Sequence, residues 1–230
     1  MLYIVSTPIG NLKDITYRAV EVLKTVDLIA AEDTRHTKIL CDHYQIVTPL
    51  TSFFEHNQLK KSDYLLKLLQ EGKSVALVTD AGTPGISDPG YPLIRLIKEH
   101  KLAMTVIPGA SAAMTALTLS GLPSHAFIFE GFLPLKSGAR RKRLESFRDE
   151  ERTIIFYESP HRILKALKDI EEVLEDPQIV VARELTKKFE EVLQDKASQL
   201  LKHFTQNPPR GEFVILFNLE SSKSETRNKF

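Results

Sequence analysis

Cysteine is nearly missing from this chain: Cys41 stands alone among 230 residues. A single thiol excludes an internal disulfide framework, and no CxxC or HExxH spacing offers a zinc cage. Long apolar runs are missing too, since none approaches the ~20 residues that span a bilayer. The N-terminus enters a strand-like segment at once, with no basic leader ahead of an apolar stretch. Nothing marks the chain for export, and a cytoplasmic location is expected. An excess of either charge is also lacking: 31 basic residues stand against 30 acidic ones. The overall balance therefore does not announce a nucleic-acid binder, and local clustering has to carry any such reading.

What is present is globular. Hydrophobic residues make up 42% and charged ones 27%, which excludes a disordered chain. The length fits one large domain or two modest ones. Strand-sized apolar runs alternate with longer segments of helical period, the pattern of α/β architecture with a largely parallel sheet. Strands are expected at 2–6, 26–30, 48–53, 75–79 and 104–107, with helices over 14–24, 37–43, 58–70 and 110–119. Leu65, Leu68 and Leu69 mark one face of the third helix. The breakers Gly121, Pro123 and Ser124 then suggest a boundary, giving domains 1–121 and 122–220. The second domain repeats the alternation, with strands at 126–130, 153–157, 178–182 and 211–219, a short one at 190–193, and a helix over 163–174. Residues 221–230, SSKSETRNKF, have too little apolar content to pack.

Three glycine- or proline-bearing loops follow strands of the first domain: Thr7 to Gly10, Asp80 to Gly85, and Pro108 to Ala112. Within DAGTPGISDPG, residues 80–90, lie three of the ten glycines and two of the twelve prolines. In an open parallel sheet, loops at the carboxyl ends of strands line the crevice where ligands bind. Glycine and proline after a strand also simply make turns. No segment matches GxGxxG or GxxxxGK[ST], so neither a dinucleotide site nor a P-loop is indicated. A further cluster, Lys136, Arg140, Arg141, Lys142 and Arg143, places five cations in eight residues, either as a solvated helix face or as a polyanion contact.

Seven segments taken together carry a resemblance: STPIGNLKDIT, AEDTRHT, VTDAGTPGISDPGYPL, PGASAAMTAL, EGFLP, FYESPHR and ARELTK. In this order they resemble the bacterial family of small-subunit ribosomal RNA methyltransferases that modify a cytidine 2′-hydroxyl, relatives of the tetrapyrrole methylases. The resemblance runs from about Leu2 to Glu220. It implies two α/β domains of tetrapyrrole methylase type, S-adenosylmethionine bound in the cleft between them, a homodimer, and 16S rRNA or the small ribosomal subunit as partner. Many family members carry a further helical segment after the final strand. This chain stops soon after Leu219, so any RNA contact made by that segment is expected to be absent.

The resemblance also implies site residues. Ile9, Gly82, Thr83, Ile86, Ser111 and Ala112, with Asp80 nearby, are expected to contact the cofactor from the first domain, and Tyr157, Ala182 and Gly211 from the second. Methyl transfer to a ribose hydroxyl needs a proton acceptor. Glu32 is the expected one, with Arg35 and Lys187 holding phosphate or hydroxyl groups. Glu32, Asp33 and Thr34 have a plainer alternative as caps of the following helix. Ser159–Pro160 reads as a helix start, with Ser159 as its cap. With RNA as substrate, Lys136, Arg140, Arg141, Lys142 and Arg143 are expected to meet phosphates. Two other functions stay open on the residues: a tetrapyrrole C-methylase using the same cofactor, and a non-catalytic RNA-binding assembly factor.

Overall fold

The structure, a computed structural model, describes residues 1–220. The tail expected at 221–230 lies outside the described residues. The chain divides into two units, the first Met1–Ser111 and the second beginning at Ala112. This division and the expected 121/122 boundary differ by one helix.

In the first unit, β1 (Leu2–Val5), β2 (Leu28–Ala31), β3 (Leu50–Ser52), β4 (Val75–Val78) and β5 (Met104–Ile107) form one sheet. Its order is β3-β2-β4-β1-β5, and every pairing is parallel. Parallel strands need crossovers that cover both faces. Helices α1 (Tyr17–Thr25) and α2 (Thr34–His43) supply Ala19, Leu23, Leu40 and Cys41 to one apolar layer, together with Val5 and Ile29. Helices α3 (Gln58–Gln70) and α4 (Tyr91–Glu99) supply Leu65, Leu69, Leu93 and Ile97 to the other, with Leu2 and Leu77.

Three helices depart from expectation, one of them α2, which begins at Thr34 rather than Thr37 because Asp33 caps it. α1 begins at Tyr17 rather than Asp14, because the Thr16 side chain accepts from the Ala19 N–H at 3.1 Å and caps it. Residues Leu12–Asp14 form a separate 3₁₀ turn. The helix α4 is not among the expected elements: it starts directly after the glycine- and proline-rich 80–90 segment and has Pro92 in its first turn. Proline is tolerated in a first helical turn, and Leu93 with Ile97, four residues apart, buries completely.

The second unit holds β6 (Phe127–Phe132), β7 (Thr153–Glu158), β8 (Gln178–Arg183), β9 (Glu191–Lys196) and β10 (Phe213–Phe217). The sheet order is β6-β7-β10-β8-β9. Here the expected largely parallel sheet is corrected: only β6–β7 is parallel, and β7–β10, β10–β8 and β8–β9 are antiparallel. The connection from β8 to β9 is too short for a crossover, and β10 inserts between β7 and β8 against both.

Helices α6 (Ser137–Glu145), α7 (Ile163–Val173) and α8 (Ala197–Gln206) share one core with the sheet face bearing Phe156, Phe213 and Phe217. The apolar period expected for α7 holds, with Ile163, Leu167 and Ile170 inaccessible. Helix α5 (Ala112–Ser120) packs against β7, β9 and β10, which is why it groups with the second unit.

Candidate functional site

In the first sheet β1 is flanked by β4 and β5, with Ile4 beside Leu77 and Val5 beside Ile107. All three strands end at one edge, so their loops meet there. The chain leaves β1 toward α1 on one face and leaves β4 through α4 on the other. Loops that part to opposite faces open a crevice at the strand ends.

The loops are tied together. Thr7 and Gly82 exchange two backbone hydrogen bonds, at 2.9 and 3.2 Å. The Thr7 hydroxyl donates to the Thr79 carbonyl at 2.9 Å, and the Ser6 and Thr83 hydroxyls share a 2.7 Å hydrogen bond. A Cβ at Gly109 would stand 2.9 Å from Cβ of Ser6, so only glycine allows the third loop this close to the first. Neither Ser6 nor Thr7 is among the site residues expected from sequence. Their hydroxyls gain meaning only from partners more than seventy residues away.

The three glycines of the 80–90 segment separate into two kinds. Gly85 and Gly90 lie against each other: a Cβ on Gly90 would meet the Gly85 nitrogen at 3.0 Å, and the Gly85 N–H donates to the Pro89 carbonyl at 3.2 Å. These two make a turn. Gly82, with φ of 79°, has only Ile9 Cγ2 within 4.0 Å of its ideal Cβ position, so space remains beside it. Ile9 is buried, Thr83 half-buried and Ile86 exposed, while Ser111 closes the first unit and Ala112 opens α5.

Glu32 and Asp33 follow β2, next to the β4 loop. Glu32 Oε2 accepts from the Asp80 N–H at 3.3 Å, and Asp80 Oδ1 accepts from the Asp33 N–H at 3.1 Å. Burial raises the Glu32 carboxyl above its ordinary range, outweighing the opposing Asp80 N–H. Asp33 is the cap of α2, accepting from the Arg35 N–H at 2.8 Å. The Arg35 guanidinium, 90% exposed, folds back on Asp33 through hydrogen bonds of 3.1 and 2.7 Å. That pairing holds the Asp33 carboxyl far below the usual carboxylate range.

A cavity of about 140 Å³ opens beside these groups. Pro8 and Gly10 of the β1 loop, His36, Ile39 and Leu40 of α2, and Asp80 line it.

In the second unit, Tyr157 and Ala182 sit on either side of Val214 in one row across β7, β10 and β8. Tyr157 is half-buried, with its ring 5.0 Å from Phe129 and 5.7 Å from Phe132. Ala182 is inaccessible, main chain included, which leaves it no surface to offer a ligand. Gly211, with φ of 82°, has the Glu184 carboxylate where a side chain would stand. The missing side chain there is explained by Glu184, which removes that support for a cofactor contact.

Lys187 donates to Glu184 at 2.9 Å and stands 3.6 Å from Glu212. Desolvation pulls its ammonium down, but the Glu184 hydrogen bond and the Glu212 charge win and raise it. Lys187 therefore stays cationic. Glu184 and Thr186 both take φ values in the left-handed region, 50° and 65°, a strained conformation for residues with side chains. Ser159 does not cap α7: its carbonyl accepts from Arg162 and Ile163 in a preceding turn, and Arg162 occupies the cap position.

The basic helix α6 requires a correction. Arg140 is 3% exposed. Its Nε donates to Asp169 at 2.7 Å and its Nη1 to the Leu135 carbonyl at 3.2 Å. A guanidinium committed to the core cannot meet phosphate, so Arg140 leaves the RNA-contact set. Arg141 is half-buried against Asp169 and Glu172, and Arg143 donates to Glu130 at 2.6 Å. Lys136 and Lys142 are exposed and carry no ion pair among the described residues.

Residues 1–201 match the family model described as Tetrapyrrole (Corrin/Porphyrin) Methylases. The chain is 50% identical over 217 residues to the ribosomal RNA small subunit methyltransferase I of Synechocystis, covering 94% of this chain and 78% of that one. It is 47% identical to the protein of that name from Thermotoga maritima, covering 94% and 97%. A solved structure titled uroporphyrin-III C-methyl transferase from Thermus thermophilus complexed with S-adenyl homocysteine superposes with TM-score 0.64 at 17% identity, covering 96% and 98%.

Proposed function

The chain belongs to the tetrapyrrole methylase family, and from that premise we propose that it transfers a methyl group from S-adenosylmethionine to a cytidine 2′-hydroxyl of 16S ribosomal RNA. The observation that carries the reading is the tied loop edge. There Gly82 leaves space against Ile9, next to a half-buried carboxylate held in its less acidic form. Relatives about half identical over nearly the whole chain, named as small-subunit ribosomal RNA methyltransferases, support the substrate class.

Main chain exposed at a glycine and small flanking side chains suit a bulky cofactor that must approach closely. Ile9, Asp80, Gly82, Thr83, Ile86, Ser111 and Ala112 would hold it, with Tyr157 proposed as a contact from the second unit; Ala182, wholly buried, and Gly211, whose bare position Glu184 already fills, lose that support. When bound, S-adenosylmethionine supplies an electrophilic methyl group. The remaining work falls to side chains. Glu32 accepts the 2′-hydroxyl proton as the oxygen gains its methyl group, a role suited to a carboxylate whose affinity for protons is raised by burial. Lys187, held in its cationic form by Glu184 and Glu212, steadies an oxygen or phosphate. Arg35 reaches phosphate only by giving up part of its hold on Asp33. Lys136 and Lys142, with Arg141 and Arg143 beside them, meet backbone phosphates. The protein acts as a homodimer in the cytoplasm.

Incubation of the purified protein with methyl-labelled cofactor and either small ribosomal subunits or a tetrapyrrole precursor tests the proposal. Label in RNA, mapped to a cytidine ribose, is the expected result. Label in the macrocycle alone would overturn it.

A further inference from the structure

The cavity between the β1 loop and α2 shares only Asp80 with the residues placed at the cofactor above, at the point where the two would adjoin. Polar and apolar residues both line it, and the polar ones include Thr7, Thr37 and Thr79. His36 and Asp80 border it as well, while Pro8, Leu12, Ile39 and Leu40 supply apolar wall. At about 140 Å³ it far exceeds the ~15 Å³ one water needs, yet it is too small for a whole nucleoside. Apolar wall together with a few hydrogen-bonding groups is what a single planar heterocycle requires.

Its position adds to this. Asp80 borders the cavity and also donates its N–H to Glu32, so whatever fills the cavity lies one residue from the proton acceptor. Asp80 uses Oδ1 to hold the Asp33 N–H, and a carboxylate has further lone pairs for an amino donor. The wall is also rigid. The Thr7 hydroxyl holds the Thr79 carbonyl, Thr37 is buried at 3% exposure, and Asp33 caps α2.

We propose that this cavity receives the one-ring base of the nucleotide being methylated, turned out of its stack, with Asp80 accepting from its exocyclic amino group. A carboxylate accepting from the cytosine amine is a standard pairing. The base then anchors the nucleotide while its ribose faces Glu32. This inference rests on the RNA reading of the preceding subsection.

The experiment compares intact substrate RNA with RNA whose target nucleotide lacks its base but keeps the ribose. Native protein and Ile39→Trp are both assayed. Ile39 is 61% exposed, so the larger ring fills the cavity mouth without entering the core, and thermal melting verifies folding. For the native protein, removing the base slows methylation about 10- to 100-fold, the worth of one stacked base. For Ile39→Trp the two RNAs are methylated at the same low rate, and cofactor affinity by calorimetry is unchanged. Three results overturn the proposal: an abasic target methylated at the intact rate, full base discrimination retained by Ile39→Trp, or weakened cofactor binding in that variant. Failure of the native protein to methylate intact RNA at all is separate, because it removes the RNA reading itself.

Discussion

Glu32 and Asp80 brace one another across two loops: the Glu32 carboxylate accepts the Asp80 N–H at 3.3 Å, and the Asp80 carboxylate accepts the N–H of Asp33 at 3.1 Å. Each acid thus fixes the backbone that carries the other. Neither is a free surface carboxylate, and burial has already raised the proton affinity of Glu32.

Glu32→Gln keeps the Asp80 hydrogen bond through its amide oxygen but cannot take a proton. Methylation falls about 10²- to 10⁴-fold, the usual contribution of a general base. In the native enzyme the rate drops as pH falls through the raised Glu32 value. Stability moves the other way. A carboxyl raised by folding contributes stability that is present below its unfolded value and lost as pH rises through the folded one. Glu32→Gln is therefore as stable as the parent or more so at neutral pH. Single-turnover rates and melting curves across pH check both halves, and a variant within one order of magnitude of parental rate sinks the assignment.

Lys187 gives its stability signature in the alkaline range instead. Its ammonium is raised by Glu184 and Glu212 against desolvation, so its contribution is fully present below the unfolded value and is lost as pH rises through the folded one. Lys187→Met is less stable than the parent at neutral pH, and the gap closes in strongly alkaline solution. Denaturant titrations at the two pH values measure it. A gap that persists unchanged would show that Lys187 acts through its aliphatic stem.

The two kinds of glycine can be separated by alanine. Gly82→Ala places a side chain on a left-handed residue, which costs about 1–2 kcal/mol, and it also fills space against Ile9, so cofactor affinity falls at least about tenfold, or ~1.4 kcal/mol. Gly90→Ala forces a Cβ to 3.0 Å from the Gly85 nitrogen, and destabilises the loop by a comparable amount. Calorimetry with S-adenosylmethionine, corrected for folded fraction, should show the specific loss at Gly82. Unchanged affinity there would take this loop out of the site.

Charge reversal on α6 has two distinct outcomes. Lys136→Glu and Lys142→Glu leave melting nearly unchanged, weaken RNA binding, and flatten the slope of log affinity against log salt by about 0.7–0.9 for each phosphate no longer neutralised. Arg140→Ala removes the buried partner of Asp169, whose side chain is 8% exposed and keeps only Arg141 and Ser137, and costs about 3 kcal/mol of stability, the low end for breaking a buried pair. An Arg140→Ala protein with parental stability would contradict the buried pairing.

The legible features were those with a local cause. Leu65 and Leu69 on α3, and Ile163, Leu167 and Ile170 on α7, all bury as their spacing requires. Asp33 caps α2, as short acceptors before a helix do. Pairing direction was not local. Nothing within β10 states that it runs antiparallel between β7 and β8, because the hydrogen bonds that decide this come from residues thirty or more positions away. The helix α4 was hidden by Pro92, whose punctuating and helix-starting roles look identical in one dimension.

Family, cofactor class and the loops at the strand ends could be read from the chain alone, since they depend on motifs carried in sequence order. Only the folded protein divided residues of one type between different tasks. It committed Gly85 and Gly90 to a turn while Gly82 kept open space, and buried Arg140 beside Asp169 while Lys142 on the same helix stayed in solvent. The physical reason is that composition and spacing define what a side chain can do, whereas desolvation and partners distant in the chain decide what it does.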